Sequence, residues 1–275
     1  MPELPEVEVV RLGISPHLLH QEIADVFVRQ RQLRFPVPAK LKETLRGLRI
    51  LDIQRRGKYL LFSTSRGTLL WHLGMSGSLR ILTTASPPQK HDHVDLIFSN
   101  HCCLRFNDPR RFGALLWTTL PPSEHPLLAK LGPEPFSADF NADYLYNKAQ
   151  KRKLAVKTFL MTSTVVVGVG NIYATEALFH AAIHPLQPAG AVTHAQWRRL
   201  CTVVRRLLQQ AIQKGGTTLK DFVNSAGKPG YFKQELYVYG RGGEACRVCD
   251  ATLESLRVGQ RGTVFCPRCQ KISGR

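Results

Sequence analysis

Tyr59-Leu60-Leu61-Phe62-Ser63-Thr64-Ser65-Arg66-Gly67-Thr68-Leu69-Leu70-Trp71-His72-Leu73 sets two short apolar runs on either side of a polar, glycine-containing break. Val94-Asp95-Leu96-Ile97-Phe98 is a third such run. Short runs bounded by turn residues, with Gly57 and Gly67 as punctuation, predict an all-β sandwich from about Ile23 to Thr118. Ahead of it, Leu4, Val7, Val10 and Ile14 share one face at helical spacing, and Pro5 is tolerated in a first turn. Behind it, Leu120-Pro121-Pro122 through Gly132-Pro133-Glu134-Pro135 is dense in proline and reads as a linker. Beyond the linker the pattern is helical. One long segment runs from Asp143 to Met161, a second from Asn171 to Ala182 and a third from Thr193 to Gln213. Thr193 and Gln196 are spaced as a capping box, and Gly215 stands as a stop signal.

The 275 residues suffice for two modest domains, and a hydrophobic content of 43% argues against wholesale disorder. The charge is the unusual quantity. Lys and Arg number 38 against 20 Asp and Glu, a formal net charge of +18. Such a surplus suggests a polyanionic partner, because each neutralised phosphate releases counterions. A ribosomal or membrane-surface protein would share the charge alone. No run approaches the roughly 20 apolar residues of a membrane span, and the opening Met1-Pro2-Glu3-Leu4-Pro5-Glu6 lacks a secretory pattern. A cytoplasmic protein with no membrane partner is expected, in which seven cysteines do not build a disulfide framework.

Four of those cysteines form Cys246-x2-Cys249 and Cys266-x2-Cys269, sixteen residues apart. Two such knuckles can set four thiolates tetrahedrally around one ion, and zinc suits that soft, closed set. The site predicts one structural zinc per chain, whose binding supplies the folding energy of a short polar segment. A redox pair or chance spacing is the alternative. Cys102, Cys103 and Cys201 lie in apolar runs and read as packed thiols. Arg247, Arg257, Arg261, Arg268 and Lys271 decorate the module, either as a nucleic-acid contact or as a solvated basic surface.

A proline directly after the initiator Met favours removal of Met1, leaving a secondary amine at Pro2. An α-amino group has a pKa of about 8 against about 10.4 for lysine, so more of it is nucleophilic near neutral pH. Its attack on a sugar C1′ yields an iminium that is cationic at every pH and can drive elimination. Glu3 beside it could shuttle protons. Taken alone, these residues read as no more than a helix start.

Met1-Pro2-Glu3-Leu4-Pro5-Glu6-Val7-Glu8 resembles the opening of the formamidopyrimidine-DNA glycosylases. The resemblance runs on in order through Arg55 to Leu60, His72 to Gly77, Lys90 to Asp95, Asp108 to Gly113 and Gly168 to Tyr173. It ends with Gly216 to Phe222, Gly227 to Phe232 and the four-cysteine module. It implies an α+β multidomain protein: an N-terminal β-sandwich with a flanking helix, then a helical domain with a helix–two-turn–helix motif and a β-hairpin zinc finger. The expected boundaries are 1–120 for the catalytic sandwich, 121–136 for the linker, 137–236 for the helical DNA-binding domain and 237–275 for the finger.

The implied activity is that of a bifunctional DNA glycosylase and abasic-site lyase acting on double-stranded DNA that contains an oxidised purine or an abasic site. The protein is expected to act as a monomer with no organic cofactor. Pro2, Glu3, Lys58 and Arg261 carry the chemistry by resemblance. Arginine is a poor general acid, so charge stabilisation is the expected role of Arg261. Met75, Arg110 and Phe112 match the residues that fill the gap left by the flipped nucleotide. Lys58, His72, His91, Arg152, Asn171 and Arg261 match phosphate contacts. Lys220 and the segment Thr217 to Tyr231 match a mobile lesion-contacting loop.

The sequence departs from the family pattern at Thr162-Ser163-Thr164, where an acidic-amide-basic triplet is common. The related endonuclease VIII type, which prefers oxidised pyrimidines, is disfavoured by Glu3-Leu4-Pro5 and by the separated Met75 and Arg110/Phe112 wedges. A non-catalytic zinc-finger binder would explain charge and cysteines but not Pro2, Glu3 and Lys58 together.

Overall fold

A computed structural model describes residues 2–84, 86–216 and 235–272. Met1, Lys220 and the segment Thr217 to Tyr231 lie outside the described residues. The described chain divides into two compact units, residues 2–130 with 212–216 and residues 131–211 with 235–272.

The first unit opens with α1 (Leu4–Leu18), whose Leu4, Val7, Val10 and Ile14 are all fully buried, as their spacing requires. β1 (Ile23–Val28) and the short α2 (Leu41–Leu45) follow. Two four-stranded antiparallel sheets then form the sandwich. One has the order β2 (Asp52–Arg56), β3 (Tyr59–Ser63), β4 (Thr68–His72), β8 (Ala114–Thr118). The other has the order β1, β6 (Asp92–Phe98), β7 (Cys102–Asn107), β5 (Ser78–Thr83). Leu60 pairs with Trp71 and Trp71 with Leu115, so one face of the first sheet presents a continuous apolar row. Trp71 meets Phe106 of β7 edge-on at 5.4 Å and links the sheets. Leu61 and Leu70 on the opposite face are buried as well, which is why these strands read as unbroken apolar runs.

Register decides where the loops emerge. Tyr59 pairs with His72 and His72 with Ala114. The β2–β3 turn, the β4–β5 loop and the β7–β8 loop therefore leave this sheet at one end. In the other sheet Asn107 faces both Ser78 and Asp92, so the turn entering β6 joins them.

The second unit carries α3 (Ala142–Ala149), α4 (Val156–Leu160), α5 (Asn171–His180), most of α6 (His194–Gln213) and a hairpin of β9 (Glu254–Val258) and β10 (Arg261–Phe265). The helix read from Asp143 to Met161 is two helices. Lys151 takes a left-handed φ of 60° and Ala155 forms a β-bridge with Pro188, which breaks the run where no glycine or proline marks it. The capping box of α6 is present. Thr193 Oγ1 accepts from Gln196 N–H at 3.2 Å and Gln196 Oε1 accepts from Thr193 N–H at 2.9 Å. Gly215, at φ 76°, follows the helix end. Among the described residues no helix is long and apolar enough to cross a membrane.

Candidate active site and metal centre

Pro2 and Glu3 stand at the head of α1, and both are buried. Glu3 is the N-cap. Its backbone N–H donates to Glu6 Oε2 at 2.8 Å, and a reciprocal capping box holds the turn rigid. Glu6 is fully buried and was not singled out in the sequence, though its place three residues after Glu3 is the capping signal. One turn on, Glu8 accepts from Arg11 and from Arg55 Nε at 2.9 Å. Burial pushes the Glu8 carboxyl up, but the two guanidiniums outweigh it and hold it below the usual carboxylate value. The Glu8–Arg55 pair fastens α1 to the end of β2, one residue short of the Arg56-Gly57-Lys58 turn.

Lys58 enters β3 beside Tyr59, whose ring lies 4.8 Å from that of His72. Gly74 N–H donates to His72 Nδ1 at 3.0 Å. The ring proton of neutral His72 therefore sits on Nε2, which is its donor. Burial, with the charges of Lys58 and Arg34 nearby, pushes the His72 pKa down to about 4. At neutral pH His72 offers a hydrogen bond and no charge. Arg34 was not singled out in the sequence; its N–H donates to Gly113 O at 3.0 Å.

A histidine near 6.5 when unfolded and near 4 when folded makes the unfolded chain bind more protons between those values. Its contribution to stability is present above pH 6.5 and is lost as the pH falls through 4. We expect His72→Gln to flatten the decline of the urea midpoint over that window. Equal slopes in variant and parent would contradict the assignment.

The loop after β4 carries Met75, half-buried, and the loop before β8 carries Arg110 and Phe112, both exposed. Phe112 keeps 49% of its surface. His91, at φ 70°, occupies the turn entering β6. Lys58, His72, Met75, His91, Arg110 and Phe112 thus share one end of the sandwich, and α1 is fastened beside the Lys58 turn.

The remaining candidates belong to the second unit. Asn171 begins α5 after Gly168 (φ 80°), Val169 and Gly170. Its Nδ2 donates to Gly262 O at 3.1 Å, which leaves one amide hydrogen for another acceptor. Lys157 is completely buried in α4, and its Nζ reaches Thr263 Oγ1 at 2.6 Å and Gly262 O at 3.3 Å. Two side chains thereby fix the carbonyl next to Arg261. Val258 pairs with Arg261 around Gly259 and Gln260, both at positive φ, a type I′ arrangement that sets exposed Arg261 just past the hairpin tip. Arg152 stands exposed on the α3–α4 connection, its backbone bonded to Ala149 and Gly190.

The four cysteine Sγ atoms of Cys246, Cys249, Cys266 and Cys269 lie within 4.8 Å of one another. Individual separations are 4.0 Å for Cys246–Cys269, 3.4 Å for Cys249–Cys266 and 3.5 Å for Cys249–Cys269. A tetrahedron with Zn–S bonds of about 2.3 Å has edges of roughly 3.8 Å. The set fits one structural zinc and leaves no open position. Glu176, buried in α5, accepts the N–H groups of Tyr237, Val238 and Tyr239 at 2.7–2.9 Å, and Gln270 Nε2 donates to Ile183 O at 2.9 Å. These bonds dock the finger on the helix.

Three family models match the sequence: the formamidopyrimidine-DNA glycosylase N-terminal domain over residues 1–115, its H2TH domain over 131–223, and the zinc finger found in FPG and IleRS over 243–272. The formamidopyrimidine-DNA glycosylase of Methylococcus capsulatus is 58% identical over 271 residues, covering 98% of this chain and all of the relative. A Lactococcus lactis FPG variant bound to Fapy-dG DNA superposes with a TM-score of 0.89 at 35% identity, covering 98% of this chain and 100% of that one. The Lactococcus lactis Fpg bound to abasic-site DNA gives 0.88 at 36%, covering 98% and 99%. The matched models span most of the sequence, and the chain belongs to the formamidopyrimidine-DNA glycosylase family.

Proposed function

We propose that this DNA glycosylase removes oxidised purines, 8-oxoguanine and formamidopyrimidines, from double-stranded DNA and then cleaves the abasic site. The single observation that carries this reading is the convergence of the β2–β3, β4–β5, β6-entry and β7–β8 turns at one end of the sandwich. One protein end thus offers cations, a neutral hydrogen-bonding histidine, the exposed Phe112 and the half-buried Met75. That set suits a distorted duplex from which one nucleotide has been extruded. Met75 and Phe112 replace lost stacking, and Arg110 donates hydrogen bonds to the orphaned cytosine. Lys58, His72, His91, Arg152, Asn171 and Arg261 contact phosphates, and Lys220 belongs to the lesion-contacting loop.

In the chemical step the lone pair of Pro2 N forms a bond to C1′ while the glycosidic C1′–N bond breaks and the base leaves with a proton. Glu3 assists ring opening of the sugar, giving an iminium between Pro2 N and C1′. The iminium draws electrons as a C2′ proton is lost and the 3′ phosphate departs; a second elimination releases the 5′ phosphate. Lys58 moves protons in these steps and Arg261 stabilises the anionic phosphates. Zinc holds the finger's shape and takes no part in the bond changes. A single chain suffices, and the expected place of action is the DNA of the cytoplasm.

The test is incubation with a duplex carrying 8-oxoguanine opposite cytosine, followed by borohydride. A covalent protein–DNA adduct and a one-nucleotide gap with phosphate ends are expected. Retained binding with the lesion intact and no adduct would overturn the reading in favour of a binder.

A further inference from the structure

Asp108 is completely buried just past the end of β7, yet it bonds to the β4–β5 loop, the β7–β8 loop and the turn entering β6. Its Oδ1 accepts the Ser76 hydroxyl at 2.7 Å, and its Oδ2 accepts Gly113 N–H at 2.7 Å. Ser76 Oγ in turn accepts Arg110 N–H at 3.3 Å. The backbone of Asp108 completes the set. Its N–H donates to His91 O at 3.0 Å, and its carbonyl lies 2.8 Å from His93 Nε2. One carboxylate therefore bridges the β4–β5 loop to the β7–β8 loop, while its own main chain holds the turn of His91.

The two loops also meet directly. A Cβ on Gly74 would fall 2.4 Å from the carbonyl carbon of Phe112 and 2.5 Å from Gly113 N. A Cβ on Gly113 would fall 2.5 Å from the Phe106 ring and 3.1 Å from Asp108 Oδ2. Side chains cannot wedge between the loops, so the carboxylate bonds act across a closed contact. A buried carboxylate with both oxygens bonded is costly to disturb.

We propose that Asp108 is a positioning residue that locks the loop of Met75 to the loop of Arg110 and Phe112, so that the three side chains enter the duplex as one rigid body. The inference rests on the assignment of those three as gap fillers. Independent loops would each have to be ordered as the base leaves the stack, whereas a pre-joined pair has lost that freedom in advance. Because Asp108 is completely buried and bonds only to the loops, its effect falls on extrusion and not on the attack by Pro2.

The experiment compares single-turnover excision of 8-oxoguanine from a duplex with borohydride trapping on an abasic site in a single strand, which has no stack to refill. Asp108→Asn keeps the side chain's shape but removes one acceptor. It is expected to slow duplex excision roughly 10- to 100-fold at saturating enzyme, with duplex affinity and single-strand trapping kept at the parent level. Ser76→Ala should give a smaller loss of the same kind, and it carries the comparison if Asp108→Asn does not fold. Adding Met75→Ala to Asp108→Asn should cost less than Met75→Ala costs alone, since a loosened wedge has less to lose. Parent-like duplex excision by both variants, equal loss on both substrates, or full additivity with Met75→Ala would overturn the inference. If Met75→Ala alone leaves duplex excision unchanged, the gap-filling assignment itself fails; if it slows excision while Asp108→Asn does not, only the role of Asp108 fails.

Discussion

A chain bearing one uncleaved residue ahead of Pro2 should form no borohydride adduct and leave an abasic site uncut, while binding duplex DNA as tightly as the parent. The reason is electronic. An amide nitrogen has given its lone pair to the carbonyl and cannot attack C1′, so covalent catalysis is lost completely. Binding should survive because the cations and the exposed Phe112 lie on other loops. A second variant separates loss of the amine from loss of the proline ring. Pro2→Gly with a free terminus keeps a primary amine, whose imine must take up a proton before it draws electrons. Its cleavage should therefore fall at alkaline pH, whereas the iminium of the parent carries its charge at every pH. Gel assay of trapping against pH measures both. Strand cleavage by the extended chain would exclude Pro2 as the nucleophile and turn attention to a lysine, with Lys58 the first to replace. Salt dependence offers no help here, since catalyst and binder alike lose affinity as salt rises.

What could be read in advance divides along physical lines. α1 was legible because Leu4, Val7, Val10 and Ile14 repeat at helical spacing and have one surface to cover. β3 and β4 were legible because both their faces are buried, so apolar residues run on without interruption. The zinc site was the plainest feature, since four thiolates in two knuckles have few other uses. The break between α3 and α4 was hidden because Lys151 adopts a left-handed φ with none of the residues that usually announce one. Asp108 belongs to a legible motif, but its role was hidden because Ser76 and Gly113 meet it only once two loops have folded together. Glu176 and Lys157 left a trace that could have been followed. Each is a charge set in an apolar helix, Ile172 to Phe179 and Val156 to Leu160, and such a charge needs a partner. The partners are three backbone N–H groups for Glu176 and, for Lys157, the Gly262 carbonyl and Thr263 hydroxyl. Burial raises the Glu176 pKa despite those three bonds, the mark of a carboxylate placed for anchoring at a cost.

The zinc finger is held in two ways, and removing the metal should show which one Arg261 depends on. Docking supplies the first: Glu176 grips residues 237–239, and Phe179 packs with Val238, Leu253, Cys246 and Cys266. Metal supplies the second. A two-stranded hairpin is marginal by itself, and this one begins and ends among knuckles whose four Sγ atoms are spaced to hold one tetrahedral ion. Structural zinc contributes an apparent binding free energy on the order of 10–16 kcal/mol in comparable fingers. That exceeds what a few docking bonds at about 1 kcal/mol each can replace. Cys249→Ala is therefore expected to take zinc from one per chain to none. Hydrogen exchange should speed up over residues 246–270 while residues 237–239 stay protected. Duplex affinity should drop, its logarithmic salt slope should shallow by roughly 1 for each phosphate the finger no longer neutralises, and excision should fall to background. The sandwich should still melt cooperatively, because its core draws on Trp71, Phe106 and their neighbours and on no finger residue. If zinc is gone yet exchange and excision match the parent, docking on α5 alone positions Arg261, and the four thiolates are dispensable to the fold that presents it.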